Sequence, residues 1–286
     1  MEHECVTRKC PTSASSRRSE TLARLKLFVG REKSVDDFYD QLSPFYHLIY
    51  PDWEASIVRQ AECLRTIVQT QWGEGANRVL DVSCGIGTQS IGLASRGFDV
   101  TASDVSSAAV ARAKKEAEER HLSVRFSVCD MRAAHMHHGG GFDVVISVDN
   151  SIPHLLSDDE VLAALRSMYA CLRAGGGCVI TIRPYDKEER GRGLIKPHGL
   201  REELGHRYLI WQVWDFEGEQ YVLSMYFIDE DLNSGAAKTH VMRSRYYAID
   251  PNHLMKLMDQ AGFEAVRRLD DVFFQPVLIG TKRVHK

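Results

Sequence analysis

The segment RVLDVSCGIGTQS (78–90) places a carboxylate, Asp81, inside a short apolar strand, then two glycines, Gly85 and Gly87, and then a helix. Glycines after a strand let a ligand approach the backbone closely, and the following helix offers unpaired N–H groups at its positive end. A second carboxylate, Asp104, closes the next apolar run, FDVTASD (98–104), where it can accept both hydroxyls of a ribose. This pattern implies a cofactor that carries a nucleoside. Neither phosphate fingerprint, G-x-G-x-x-G or GxxxxGK[ST], is present, because Gly87 is followed by Thr88-Gln89-Ser90-Ile91. A carboxylate beside a pyrophosphate is repelled, whereas one near a cation is favoured. D-x-x-C-G-x-G therefore suits a cofactor with a ribose, a positive centre and no phosphate. S-adenosylmethionine has all three properties; a nicotinamide or flavin dinucleotide is the competing reading. Ser83 in the turn and Val105 beside Asp104 join the expected cofactor contacts.

A second constellation is FDVVISVDNSIPHL (142–155), which ends an apolar run in Asp149, Asn150, Ser151 and His154. Four polar side chains just beyond a strand suit the place where a sulfonium faces a methyl acceptor. His154 is either a general base or a packing histidine. Asp149 counts among the cofactor contacts and can also hold a cationic amine. TIRPYD (181–186) delivers Arg183 to the same edge, with a fork suited to a carboxylate or to a salt bridge within the protein. HMHH (135–138) has no Cys or carboxylate partner at ligand spacing and reads as a flexible polar loop, so no metal is expected.

The elements that must position these groups alternate regularly. Strands are expected at 78–83, 98–103, 124–128, 142–148 and 177–182, and helices at 88–96, 106–120 and 158–173. The last opens on a capping box, Ser157 to Glu160, and stops at Gly175. This alternation implies βαβ units and a doubly wound, mostly parallel seven-stranded Rossmann-like sheet, whose first five strands form a cofactor-binding core over 73–186. Residues 1–20 read as a disordered tail, and 21–72 as an N-terminal cap of short helices interrupted at Pro44 and Pro51. From 187 to 247 the rhythm changes to an antiparallel β insertion with strands at 208–216, 221–229 and 239–249, a substrate cap or an oligomer contact. Trp211 and Trp214 in it are an aromatic wall or core. A helix capped by Asp250-Pro251 and ending at Gly262, with strands near 264–270 and 276–282, completes the core over 248–286.

Composition narrows the functional class. A net charge of −3 gives no general attraction to nucleic acid or anionic membrane. No apolar run approaches a membrane span, and the N-terminus lacks the apolar stretch of a secretory signal. Seven scattered cysteines, an odd number, suit free thiols in a reducing cytosol. Cys5 and Cys10 lie in a polar, Ser-rich segment, and a metal site there would need two more ligands, for which no convincing pair is close in sequence.

Over roughly residues 38–283 the chain resembles the class I S-adenosylmethionine-dependent methyltransferases. In such enzymes the turn after the third strand, here Asp130-Met131, holds the adenine; Asp130 is otherwise a plain helix cap. G-F-D…N-S-x-x-H-L (141–155), R-x-Y-D (183–186) and R-x-x-Y-Y (243–247) narrow the resemblance to glycine N-methyltransferase and its small-amine relatives. That resemblance implies that Asn150 and Arg183 bind a substrate carboxylate, with Tyr39, Tyr185, Arg243, Tyr246 or Tyr247 lining the site. Asp149 departs from the family, which has a small residue there. The expected reaction moves a methyl group to a small amine and releases S-adenosylhomocysteine. Three rivals are a methyltransferase with an oxygen or carbon acceptor, one acting on macromolecules, and a binding protein without catalysis.

Overall fold

The computed structural model describes residues 34–284. The tail expected over 1–20, the first part of the 21–72 cap, Cys5 and Cys10 lie outside the described residues. Two short elements and one long helix precede the sheet: α1 (Val35–Leu42), a 3-10 turn (Tyr46–Ile49) and the 20-residue α2 (Trp53–Trp72), so the expected cap of short helices holds only in its first part. Pro44 and Pro51 fall between them, where a missing N–H costs nothing. Asp52 caps α2 by accepting the Ala55 N–H at 2.9 Å, and the Trp53 indole donates to Thr88 at 2.8 Å. The cap is thereby pinned to the helix that follows the glycine turn.

The main sheet contains β1 (Arg78–Asp81), β2 (Asp99–Asp104), β3 (Arg125–Val128), β4 (Phe142–Ser147), β5 (Leu172–Thr181), β10 (Phe263–Leu269) and β11 (Val277–Lys282). Its order is β10-β11-β5-β4-β1-β2-β3, with β1 to β5 parallel and β11 antiparallel to both β5 and β10. The connecting helices are α3 (Thr88–Ala94), α4 (Ser107–Glu119), α5 (Ala134–His138), α6 (Asp158–Cys171) and α7 (Pro251–Gln260). Strand order reverses between β1 and β4, and ligands of open α/β sheets bind at the carboxyl ends of the strands beside such a reversal. Among the described residues, no helix is long and apolar enough to cross a membrane.

The insertion has four antiparallel strands, not three: β6 (Leu194–Glu203), β7 (His206–Glu217), β8 (Gln220–Asp231) and β9 (Ala237–Tyr247), in sequential order. Sequence patterning misses β6 because Pro197 and Gly199 break its alternation. It is an edge strand with a register shift at that point, where proline is tolerated. Two further expectations fail locally. Helix α6 stops at Cys171 rather than near Gly175, because Leu172 is already extended and begins β5. HMHH is not a loop; it forms most of α5, which ends at Gly139. The capping box forms in altered form, since Glu160 accepts the Leu156 N–H at 2.8 Å rather than that of Ser157.

Candidate active site

Two cavities meet at the carboxyl end of the main sheet. The outer one, about 320 Å³, is walled by the glycine turn, Val105, the Cys129–Arg132 turn, Ser151, His154 and α1. Gly85 has φ +51, and a Cβ there would lie 3.1 Å from the Tyr46 ring, so the turn forms a cradle that a side chain would fill. Asp104 lines this cavity and is held by the N–H groups of Gly85 at 2.8 Å and Ser106 at 2.9 Å. Burial pushes its carboxyl up, opposed by those N–H groups. Ser83 lines the same wall and shares a 3.0 Å hydrogen bond with Ser147.

Asp130 and Met131 also line this cavity. Asp130 caps the short turn after it through the Arg132 N–H at 2.8 Å and pairs with the Arg132 guanidinium, which reaches on to Glu160. Desolvation raises its pKa, but the Arg132 contacts win and hold it below the usual carboxylate range. The cap reading and the lining reading of Asp130 are therefore both true of the geometry.

Asp81 and Gly87 do not line either cavity. Asp81 lies beneath the turn, accepting from the Ser90 hydroxyl at 2.7 Å and the Ser83 N–H at 3.2 Å, and burial raises its pKa to about 7. Gly87, at φ +94, begins α3; a Cβ there would meet the Ile91 side chain at 2.8 Å. Among the described residues it shapes the turn and packs on α3 rather than lining a cavity.

The inner cavity is small, about 60 Å³ or the volume of roughly two waters. Tyr39 and Tyr46 line both cavities; Asp149, Asn150, Arg183, His198, Gln212 and Tyr246 belong to the inner one. Asp149 and Asn150 take left-handed backbone angles, φ +61 and +63, which Asp and Asn tolerate better than most residues and which aim both into the cleft. Asp149 accepts from the Tyr50 hydroxyl at 2.8 Å. Burial pushes its carboxyl up, opposed by Tyr50 and the charge of Arg183. Asn150 accepts the Arg183 N–H at 3.0 Å and donates to Tyr185 at 2.9 Å.

Arg183 is half-buried on this wall. Its guanidinium lies 4.9 Å from the Trp214 ring and donates to the Tyr221 hydroxyl at 3.1 Å. Among the described residues no carboxylate lies within ion-pair distance of it. Trp214 is thus a wall behind the arginine, whereas Trp211 stacks on Tyr226 on the other face of the insertion.

His154 lines the outer cavity and touches Tyr39, which lines both, and Tyr246 of the inner one. Its Nε2 is 2.8 Å from the Tyr39 hydroxyl, its Nδ1 3.4 Å from Ser244, and its ring 4.1 Å from that of Tyr246. Burial, with the charge of Arg183, lowers its pKa to about 3, so the ring is neutral and a weak base. The phenols of Tyr39, Tyr46, Tyr50 and Tyr246 are pushed upward by burial and stay protonated.

Two expected substrate contacts are misplaced. Tyr185 is buried behind Asn150 and lines neither cavity. Arg243 is exposed, because β9 alternates and turns Met242, Ser244 and Tyr246 inward instead. Sequence reasoning missed Tyr46, Tyr50, His198 and Gln212. The first two stand with Phe45 and Trp53 in an aromatic-rich stretch of the N-terminal cap, which was the available signal; His198 lies on the unrecognised β6.

The chain is similar to known methyltransferases. Residues 79–176 match a family described as a methyltransferase domain. A glycine/sarcosine N-methyltransferase of Parasynechococcus marenigrum (strain WH8102) is 27% identical over 249 residues, 84% of this chain and 79% of that one. A glycine N-methyltransferase of Oryctolagus cuniculus is 33% identical over 150 residues, 48% of this chain and 46% of that one. Among solved structures, the sugar N-methyltransferase of Streptoalloteichus sp ATCC 53650 has the same fold. It superposes with a TM-score of 0.71 at 21% identity, covering 99% of this chain and all of its own.

Proposed function

This chain belongs to the class I S-adenosylmethionine-dependent methyltransferases that act on small molecules, and we propose that its acceptor is the amine nitrogen of an amino acid or a related carboxylate-bearing amine. The observation that carries this reading is Arg183, a cation on the wall of a small inner cavity with no carboxylate within ion-pair distance among the described residues. A ligand carboxylate that meets the guanidinium fork there gains both charge and geometry. Asp149, on the same cavity, supplies the opposite charge for an ammonium group. A zwitterionic amino acid complements the pair.

The outer cavity fits the cofactor by its donor set. Asp104 has acceptor capacity for a ribose and Asp130 for an exocyclic amine, Met131 offers an apolar face, and the Gly85 cradle admits close approach. When bound, the cofactor supplies an electrophilic methyl on a sulfonium. The chain's own groups do the rest. Arg183 and Asn150 hold the acceptor, and the tyrosines shared by the two cavities exclude water and align the nitrogen. An ammonium must lose its proton before it can attack. Asp149, its carboxyl raised by burial, is the acceptor for that proton, whereas His154 is too weak a base and acts as a positioning residue between Tyr39 and Ser244. An oxygen or carbon acceptor would need a strong base, and the lining supplies none among the described residues. The free described cysteines, Cys63, Cys84, Cys129, Cys171 and Cys178, suit a cytosolic setting.

Arg183→Ala, assayed against small amino acids and the same amines lacking a carboxylate, tests the reading. The expected result is a KM for amino acids raised roughly 100-fold, in line with a lost charge-assisted pair of about 3 kcal/mol, with cofactor Kd unchanged. Equal use of both substrate sets by the unmodified enzyme would overturn it.

A further inference from the structure

Cys129 follows β3 with a buried, free thiol. His137 and His138, the last two residues of α5, turn their rings toward it, and one ligand atom from each of the three residues lies within 4.8 Å of the other two. Successive positions on a helix face apart by about 100°. Here the two rings stand edge to face with centroids 4.6 Å apart. Each is held by a serine hydroxyl: His137 by Ser127 at 3.0 Å and His138 by Ser103 at 3.0 Å. Such outer hydrogen bonds orient imidazoles for metal ligation.

We propose that Cys129, His137 and His138 form a binding site for a divalent transition metal of the zinc class. One thiolate and two imidazoles are borderline-soft donors that select zinc, cobalt or copper over magnesium and calcium, which take oxygen ligands. Three protein ligands leave one tetrahedral position for water. Binding forms a sulfur–metal bond and releases the thiol proton to solvent. The thiol gives up its hydrogen bond to the carbonyl of Asp130, 3.2 Å. The two histidines and the cysteine are neighbours only because α5 folds back along β3, which is why the HMHH run lacks a partner in sequence.

The test is a titration of untagged, reduced, full-length protein with Co2+, read by its thiolate-to-cobalt charge-transfer absorption. The expected result is a band that saturates at one equivalent, is displaced by Zn2+, and is lost in both C129S and H137Q/H138Q but kept in C5S/C10S. Because His137 is exposed, H137Q/H138Q is expected to retain the parent's melting temperature without metal, and that melt checks its fold. Absence of the band in the parent protein would overturn the site. So would its persistence in a folded H137Q/H138Q protein.

Discussion

Around the cofactor cavity the carboxylates are held by backbone N–H groups close by in the chain or in the adjoining turn. Asp81 takes the N–H of Ser83, Asp104 those of Ser106 and Gly85, and Asp130 that of Arg132. Around the acceptor cavity the polar groups are held by side chains from distant segments. Tyr50 reaches Asp149 across 99 residues, Tyr39 reaches His154 across 115, and Tyr221 meets Arg183 across 38. One half is built by turns, the other by the docking of the N-terminal cap and the insertion. The cofactor half therefore tolerates changes in its surroundings, whereas the acceptor half depends on two docked elements keeping their place. Substrate choice can vary across such a fold while cofactor choice stays constant.

The comparison is sharpened most by Asp104→Ala. Loss of a charged acceptor costs about 1.5–3 kcal/mol, so cofactor Kd should rise roughly 10- to 100-fold by calorimetry. A change confined to acceptor KM would mean that the two halves have been misassigned.

Two buried groups should answer pH in opposite directions. Asp81 has a folded pKa raised from 3.8 to about 7, so its contribution to stability is full below pH 3.8 and is lost as pH rises through 7. His154 is lowered from 6.5 to about 3; its contribution is full above 6.5 and is lost as pH falls toward 3. A cationic cofactor favours the ionised form of Asp81. Its affinity should thus rise up to about tenfold between pH 6 and 8, while that of uncharged S-adenosylhomocysteine changes less. Identical pH profiles for the two ligands would count against Asp81 sensing the sulfonium.

Tyr39→Phe removes the 2.8 Å hydrogen bond to His154 at the junction of the cavities. A net cost of about 1 kcal/mol predicts a roughly fivefold fall in kcat with cofactor Kd unchanged. If Kd rises as kcat falls, Tyr39 belongs to the cofactor half. The smallest effect is expected of Arg243→Ala. The side chain is exposed on the outer face of the insertion, so kcat/KM should stay within about twofold of the parent. A large loss would restore the role that its motif implies.

The fold was legible wherever an element carried its own period. The parallel strands read as apolar runs, and α6 was marked by its Ser157 cap. What escaped had its signal broken or overruled: β6 by Pro197 and Gly199, and the end of α6 by a strand that starts at once at Leu172. The site divides the same way. Ser83, Gly85, Asp104, Val105, Asp130 and Met131 follow strands whose ends can be read, and all line the outer cavity. Arg243 and Tyr185 were chosen by motif, which says nothing about the face a side chain takes. The alternation of Met242, Ser244 and Tyr246 was the available clue to Arg243.

The amino-acid sequence by itself determined the βαβ frame, the glycine turn and the kind of cofactor, because these rest on local backbone geometry and on charge types a few residues apart. Only the tertiary structure decided which residues face the acceptor, that Arg183 has no carboxylate among the described residues to pair with, and that Cys129 meets two histidines. Those relations depend on how segments pack, even where the residues are as near in sequence as Cys129 and His137, and no local pattern encodes a contact that only packing creates.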